Sequence, residues 1–295
     1  MTRVVATCTT LPDRYNHLYK TLKSLHAQTI KFDAIYLTLP YRAKRLNKAY
    51  PELPQKIKQL CTVIRSDVDY GPITKMYGAL ISEPDPDTII ISIDDDNIYD
   101  THLVEVLIEK SKIYPNAAIC GTGWLLKYGV LFFSMKTSLK FVAQFNGFVG
   151  MNVPNTGRKL DVIQGAAGVL YKRSHFPSSK KLYDDLLYYV MIDDDLFKND
   201  DVLISAFLCK NNISRYTFND IPLTITPDVK EDALSFNYGK MFLSLSKALE
   251  KCKAYKLFTR FEDNSISDSP TFKIIAILVI IIFIIIGAYT LYYST

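Results

Sequence analysis

Over the first 115 residues the apolar positions switch between two periods. Four short runs rich in β-branched and aromatic residues, "RVVATCTTLP", "FDAIYLTLP", "CTVIRSDVD" and "DTIIISIDDD", close on proline or polar residues and read as strands. Between them the period lengthens. "RYNHLYKTLKSLHAQ" puts Leu18, Leu22 and Leu25 at i, i+4 and i+7, one face of a helix. "ITKMYGALI" reads as a helix stopped by Pro84 and Pro86, and "THLVEVLIEKSKIY" as another with Thr101 at its N-cap. Strands alternating with helices predict an α/β fold with a mainly parallel sheet covered on both faces. In such sheets ligands bind beyond the carboxyl ends of the strands.

Downstream the pattern changes. The region from Ala117 to Pro154 is aromatic and glycine-bearing, and its mixed periodicity predicts irregular structure with short strands. "LDVIQGAAGVLYKR" suggests a strand, a glycine turn and a second strand; "MIDDDLF" suggests an acidic loop facing solvent or an acceptor; "DDVLISAFLCKNN" is a helix with an acidic first turn. Residues 1–257 thus form the main domain, and the polar stretch 258–273, which carries Pro270, reads as a linker. From Ile274 to Tyr293, "IIAILVIIIFIIIGAYTLYY" carries no charge. Twenty helical residues at ~1.5 Å each cover about 30 Å, one hydrocarbon thickness, so 274–293 is expected to be a transmembrane helix. Tyr289, Tyr292 and Tyr293 cluster at its far end, as interfacial aromatics do. Lys251, Lys253, Lys256, Arg260 and Lys273 precede the span, and the positive-inside bias then predicts a C-terminal single-pass anchor with a cytosolic main domain.

Composition narrows the classes. A formal charge of +5 over 295 residues forms no long basic run and argues against a nucleic-acid partner. The five cysteines have no metal-type spacing, with Cys8, Cys120 and Cys209 in apolar stretches, which favours a reducing compartment. No secretory signal is legible, because "MTRVVATCTTLPDR" enters strand-like sequence at once. The chain lacks GxxxxGK[ST] and GxGxxG, the histidines have no metal-type spacing, and no serine occupies a nucleophile-elbow context.

The most informative stretch is "PDTIIISIDDDNIYD", where an apolar strand runs into Asp94, Asp95 and Asp96. Two carboxylates ~4 Å apart repel by about 4 kcal/mol at an effective dielectric of ~20, so solvent, basic partners or a metal ion must offset the charge. In extended backbone Asp94 and Asp96 project from one face and Asp95 from the other. Such a pair suits a hard divalent ion whose shell is completed by water and phosphate oxygens; the plain alternative is a solvated acidic loop. In "SDVDYGPITK", Asp67 or Asp69 could accept hydrogen bonds from a base or ribose, Gly71 permits close backbone approach, and Lys75 could meet a phosphate. In "NDDVLISAFL", Asp200 and Asp201 open a helix, where they either cap it or take a proton from a hydroxyl nucleophile. In "VIQGAAGVLYKR", Gly165 and Gly168 leave space beside the backbone, for a ligand or for tight packing.

Taken in order, "VVATCTTLPDR", "DYGPITK", "TIIISIDDDNIY", "IQGAAGVLYKR" and "NDDVLISAFL" resemble the GT-A-fold glycosyltransferases, and most closely a group of bacterial and giant-virus sugar transferases with a GPxTK stretch. The resemblance spans about Arg3 to Ile225. It implies a metal-dependent transfer of sugar from a nucleotide-sugar donor, uridine-linked by expectation, to a glycan, lipid or protein acceptor. On that resemblance Thr9 and Arg14 begin the nucleotide site, Asp67 meets the uracil or ribose with Asp69 nearby, and Lys75 holds the matching basic position. Asp94 and Asp96 would be the outer members of a DXD motif holding Mn²⁺ or Mg²⁺, with Asp95 between them; Gly165 would lie beside the donor sugar. Asp201 resembles the base of an inverting enzyme. Asp200-Asp201 stands where many relatives have Glu-Asp, so either residue could be the base. A sugar nucleotidyltransferase would need a glycine-rich loop after the first strand, and a haloacid-dehalogenase-like phosphoryl transferase a DxD there; "TCTTLPDR" supplies neither. The remaining alternative is a membrane-anchored, non-catalytic carbohydrate-binding or scaffold protein with a degenerate transferase fold.

Overall fold

Val4–Cys8 forms the strand β1, and its alternation divides the molecule into two apolar layers. Val4, Ala6 and Cys8 pack against one side with Leu18, Leu22 and Leu25, while Val5 faces the other with Ile73, Met76 and Ala79. The computed structural model describes residues 2–129, 140–144, 156–177, 181, 183–222, 224 and 238–257. In chain order, β1 is followed by α1 (Tyr15–His26), β2 (Ala34–Pro40), the two-residue strands β3 (Arg42–Ala43) and β4 (Lys48–Ala49), α2 (Gln55–Lys58) and β5 (Thr62–Ser66). Next come α3 (Thr74–Ser82), β6 (Ile89–Ser92), α4 (Leu103–Ile113), β7 (Ala118–Gly129), β8 (Lys140–Gln144), β9 (Arg158–Lys159) and β10 (Val162–Lys172). The described chain closes with α5 (Tyr188–Ile192), α6 (Asp194–Phe197), α7 (Asp200–Lys210), β11 (Arg215–Thr217) and α8 (Tyr238–Ala254).

Among the described residues the main sheet runs β5-β2-β1-β6-β10-β7-β11-β9, with β8 paired to β7. The first four strands are mutually parallel, β10 is antiparallel to both β6 and β7, and β11 is parallel to β7. This is the mixed α/β sheet flanked by helices that the periodicity predicts. α1 and α4 cover one face; α3, α7 and α8 cover the other. Val202 to Leu208 of α7 are all buried, so this helix is apolar on every side and sits inside the molecule.

Four local expectations are corrected. The stretch from Ala118 is one twelve-residue strand, organised by sheet pairing to β10 and β11; the expected short strand and irregularity are present in β8 and in the register shift between Leu125 and Gly129, while 130–139 and 145–154 lie outside the described residues. "VIQGAAGVLYKR" is a single strand, not a hairpin. Its register to β7 shifts between Gln164 and Val169, and Gly168 takes φ +80°, the left-handed backbone only glycine adopts freely. α4 begins at Leu103, and the carboxylate of Asp100, rather than Thr101, accepts the His102 N–H at 2.8 Å. In "MIDDDLF" the first acid is not an open loop residue: Asp193 is buried and caps α6, accepting from Asp195 N and Leu196 N. Among the described residues no helix is long and apolar enough to cross a membrane. The expected span 274–293 and linker 258–273 lie outside them.

Candidate functional site

The carboxyl ends of β1 and β6, the first turns of α3 and α7, and the amino-terminal half of β10 close around a cavity of about 280 Å³. Thr9, Arg14, Asp69, Lys75, Asp94, Asp95, Asp96, Asp200 and Asp201 all line it. The carboxylates are held by two cations. Lys75, 4% exposed, places Nζ 2.7 Å from Asp94 Oδ1 and 2.8 Å from Asp200 Oδ2. Arg14 forks between Asp95 Oδ1, at 3.1 Å, and Asp96 Oδ2. Basic partners therefore offset much of the repulsion within the acidic triplet.

The triplet itself lies beyond the strand, in a turn after Ser92 and Ile93. That corrects the expectation of strict alternation: Asp95 does not point away from its neighbours but lines the same cavity, buried, accepting the Thr10 hydroxyl and sharing Arg14 with Asp96. Burial pushes the Asp95 carboxyl up to about 6, with the Arg14 charge opposing. The turn is fixed from below. Thr21 of α1 donates to the carbonyls of Asp95 and Asn97 at 2.9 and 2.8 Å, and the Tyr99 hydroxyl accepts the Asp94 N–H at 2.9 Å while lying 3.2 Å from the Ala166 carbonyl.

Lys75 reaches the cavity because of the turn before α3. Gly71 takes φ +71°, Asp69 Oδ1 accepts its N–H at 2.7 Å, and Asp69 Oδ2 accepts the Lys44 N–H at 2.7 Å. Asp69 therefore ties two loops together at the cavity wall. Asp67, its sequence-stretch companion, is exposed and is not among the lining residues. The Thr9 hydroxyl donates to the Thr38 carbonyl at 2.8 Å.

Asp200 and Asp201 differ in their surroundings. Asp200 is ion-paired with Lys75. Asp201 Oδ1 accepts the Gly165 N–H at 3.1 Å, and burial together with the adjacent Asp200 charge holds its carboxyl well above the usual carboxylate range. Gly165 sits where the groups converge: a Cβ there would lie 3.0 Å from Lys75 Nζ, 3.1 Å from Asp201 Oδ1 and 3.4 Å from Asp94 Oδ1. Apolar and aromatic side chains complete the lining, among them Trp124, Val162, Phe197 and Leu245.

Sequence reasoning missed Tyr50, Tyr99, Trp124, Phe197, Asn199 and Leu245. The Tyr50 hydroxyl donates to the Thr10 carbonyl at 2.7 Å. Asn199 precedes α7 and donates to Ser244 Oγ of α8 at 2.8 Å. Trp124, the only tryptophan in the chain, was one available signal, and Tyr99, Phe197 and Asn199 stand within the acidic stretches already singled out. Tyr99 lies behind the cavity wall, and Tyr50 and Leu245 reach the cavity through long-range packing that no local pattern encodes.

Among the described residues no three or more His, Cys, Asp or Glu side chains are grouped to hold a metal ion by themselves. The chemistry of the donor set still suits a hard cation that takes one or two carboxylates and completes its shell with phosphate oxygens. Asp94 and Asp96, with side chains 32% and 23% exposed, both open onto the cavity.

No protein-family model matches the sequence, and no curated protein matches it. Among solved structures, the chain is similar to the crystal structure of S. aureus TarS, with a TM-score of 0.45 and 13% sequence identity over 76% of this chain. The match spans 36% of the TarS chain, about a third of its length, and a likeness at this level says nothing about chemistry.

Proposed function

We propose that the chain is a glycosyltransferase that moves a sugar from a nucleotide-sugar donor, uridine-linked, to a hydroxyl acceptor with inversion. One observation carries the reading. Six carboxylates, Asp69, Asp94, Asp95, Asp96, Asp200 and Asp201, line one cavity against four cations, Arg14, Arg45, Lys75 and Lys198. A diphosphate adds more negative charge, so its binding calls for a further cation. Mn²⁺ or Mg²⁺ held by Asp94 and Asp96 would supply that charge and stabilise the departing diphosphate. Arg14 and Lys75 orient the two carboxylates, and Tyr99 and Thr21 hold the turn that presents them.

In this reading Asp201 takes the acceptor hydroxyl proton as the acceptor oxygen bonds to the anomeric carbon. The bond from that carbon to the diphosphate oxygen breaks on the opposite face, and the nucleoside diphosphate leaves. Asp201 suits the role better than Asp200, because Lys75 already holds the Asp200 charge, whereas a raised carboxyl brings Asp201 nearer the working pH of a general base. The absence of a side chain at Gly165 lets Lys75, Asp201 and Asp94 converge beside the donor sugar. Segment 274–293 tethers the enzyme to a membrane, with the main domain on the cytosolic side.

Thermal melting with a panel of nucleotide sugars, with and without Mn²⁺, tests the reading, since a ligand bound only by the folded state raises its apparent stability. A uridine-diphosphate sugar is expected to raise Tm only when Mn²⁺ is present, and Asp94→Ala or Asp96→Ala to abolish both the shift and donor turnover. Unimpaired turnover in excess chelator defeats the metal assignment. Donor binding without turnover for any acceptor class favours the scaffold alternative.

A further inference from the structure

Six large apolar side chains are well exposed among the described residues, and three of them, Tyr188, Met191 and Ile192, lie on the single helix α5 at 45%, 44% and 49%. They fall at i, i+3 and i+4, so they form one stripe rather than scattered contacts. α5 packs beside the carboxyl end of α8: the rings of Tyr189 and Tyr255 lie 5.5 Å apart, and Tyr188 meets Tyr189 edge-on at 5.7 Å. Lys247 and Lys251 of α8 are exposed and four residues apart, and Tyr255 follows just beyond the helix end. Acids share this area: Glu250 of α8 is exposed, and Asp193 holds Lys251, which leaves Lys247 as the lysine without an acid partner among the described residues. Asp193 caps α6 and meets Lys251 at 3.2 Å, and Asp194 turns to Lys44 at 3.3 Å.

Two neighbours of the stripe identify what it faces. On one side the described chain leaves at Leu257, two residues beyond Tyr255, and after sixteen intervening residues its sequence enters the uncharged run 274–293. On the other side only α6 separates Ile192 from Phe197 and Lys198 at the cavity. We propose that the Tyr188–Met191–Ile192 stripe rests on the surface of a lipid bilayer, the same bilayer that receives segment 274–293. An apolar stripe with aromatic and lysine flanks is the make-up of an interfacial helix, the lysines reaching headgroups while their stems cover apolar surface. The contact sets the cavity close to the bilayer and favours acceptors carried in it. This inference rests on the membrane-tether reading and is independent of glycosyl transfer.

Hydroxyl-radical footprinting of the full chain, reconstituted in vesicles of phosphatidylcholine with a minor fraction of phosphatidylglycerol, tests it without an activity readout. Tyrosine and methionine side chains both react readily with the radical, and exposed His26, at the far end of α1, is the internal reference. Tyr188 and Met191 are expected to be oxidised several-fold more slowly, relative to His26, than their exposure dictates. In the doubly charged variant Met191→Asp/Ile192→Asp, Tyr188 oxidation should rise several-fold, with circular dichroism unchanged because both positions are exposed. Oxidation in proportion to exposure in the wild-type chain overturns the proposal. So does protection that disappears at one chain per vesicle, which would mark a second copy as the occupant, and so does failure of the full chain to enter vesicles. Loss of sugar transfer with protection intact counts against the enzymatic reading alone.

Discussion

At the amino ends of the parallel strands, Glu83 is 3% exposed and fully engaged: Arg3 donates to it at 2.8 and 3.0 Å and the Tyr36 hydroxyl at 2.6 Å. Nearby, Arg173 donates to the carbonyls of Glu83 and Phe176 at 2.9 and 2.8 Å. At the carboxyl ends of the same strands, six carboxylates share a cavity with four cations. Both ends bury charge in one sheet, yet one closes its account internally and the other leaves carboxylates in excess. A buried group that is fully paired contributes structure; a surplus of one sign facing a cavity is held ready for something that arrives from outside.

The sharpest way to break this comparison is at Asp201. If the surplus is catalytic, Asp201→Asn should lower kcat by about 10²–10⁴, the usual range for a general base, while the protein still melts cooperatively. The sign of the pH effect follows from its environment. Burial and Asp200 raise the folded carboxyl, so the native state binds the proton more readily than the unfolded chain, and stability falls as pH rises through the raised value. Asp201→Asn should accordingly melt no lower than wild type at neutral pH. The acid limb of kcat/KM should lie above the ordinary carboxylate range and vanish in the variant. A wild-type rate in Asp201→Asn with loss of activity in Asp200→Asn would transfer the role to Asp200.

Next in size is Lys75, which holds Asp94 and Asp200 together. Removing one partner of a buried ion pair typically costs about 3–5 kcal/mol. Asp94 is 32% exposed and water screens part of that loss, so Lys75→Met should cost about 3 kcal/mol by urea unfolding. No change in stability would show that the carboxylates do not depend on their cation. The matched experiment at the other end is Glu83→Gln. It removes the charge that Arg3 and Tyr36 address, and a hydrogen bond to a charged group is worth about 1.5–3 kcal/mol. The expected loss is of that size, read as a shift in urea midpoint, with donor affinity by titration calorimetry unchanged. A changed affinity would mean that the two ends are coupled through the sheet.

How much of this difference was legible before folding depends on distance along the chain. The strand that ends in Asp94, the glycine turn that delivers Lys75 and the acidic start of α7 are local patterns, and the sheet brings them together as parallel topology requires. The pairing of Arg14 with Asp95 and Asp96 joins residues more than 80 apart, and Leu245 enters from a helix with no site-like signal. "IQGAAG" misled because glycine is equally at home in a turn and in an irregular strand; only pairing with β6 and β7 on both sides makes it one strand. The Glu83 network was invisible for the same reason as the Arg14 fork: residues 3, 36, 83 and 173 meet only in the folded sheet.

The smallest expected effect isolates geometry from charge. Gly165→Ala adds no charge and meets no left-handed strain, since Gly165 is not among the glycines with positive φ. Its methyl would press on the Lys75 ammonium at 3.0 Å, on Asp201 Oδ1 at 3.1 Å and on Asp94 Oδ1 at 3.4 Å, side-chain ends that must shift by a few tenths of an ångström within their own ion pairs and hydrogen bonds. Folding should lose less than about 1 kcal/mol, because no packed core atom is displaced. Reaction geometry is less forgiving: a misplacement of ~1 Å costs about 10²-fold, so a shift of tenths of an ångström should cost roughly tenfold in kcat with little change in KM for the donor. Equal losses in stability and rate would instead mean that Gly165 serves packing, and that the carboxyl end of the sheet is as closed as the amino end.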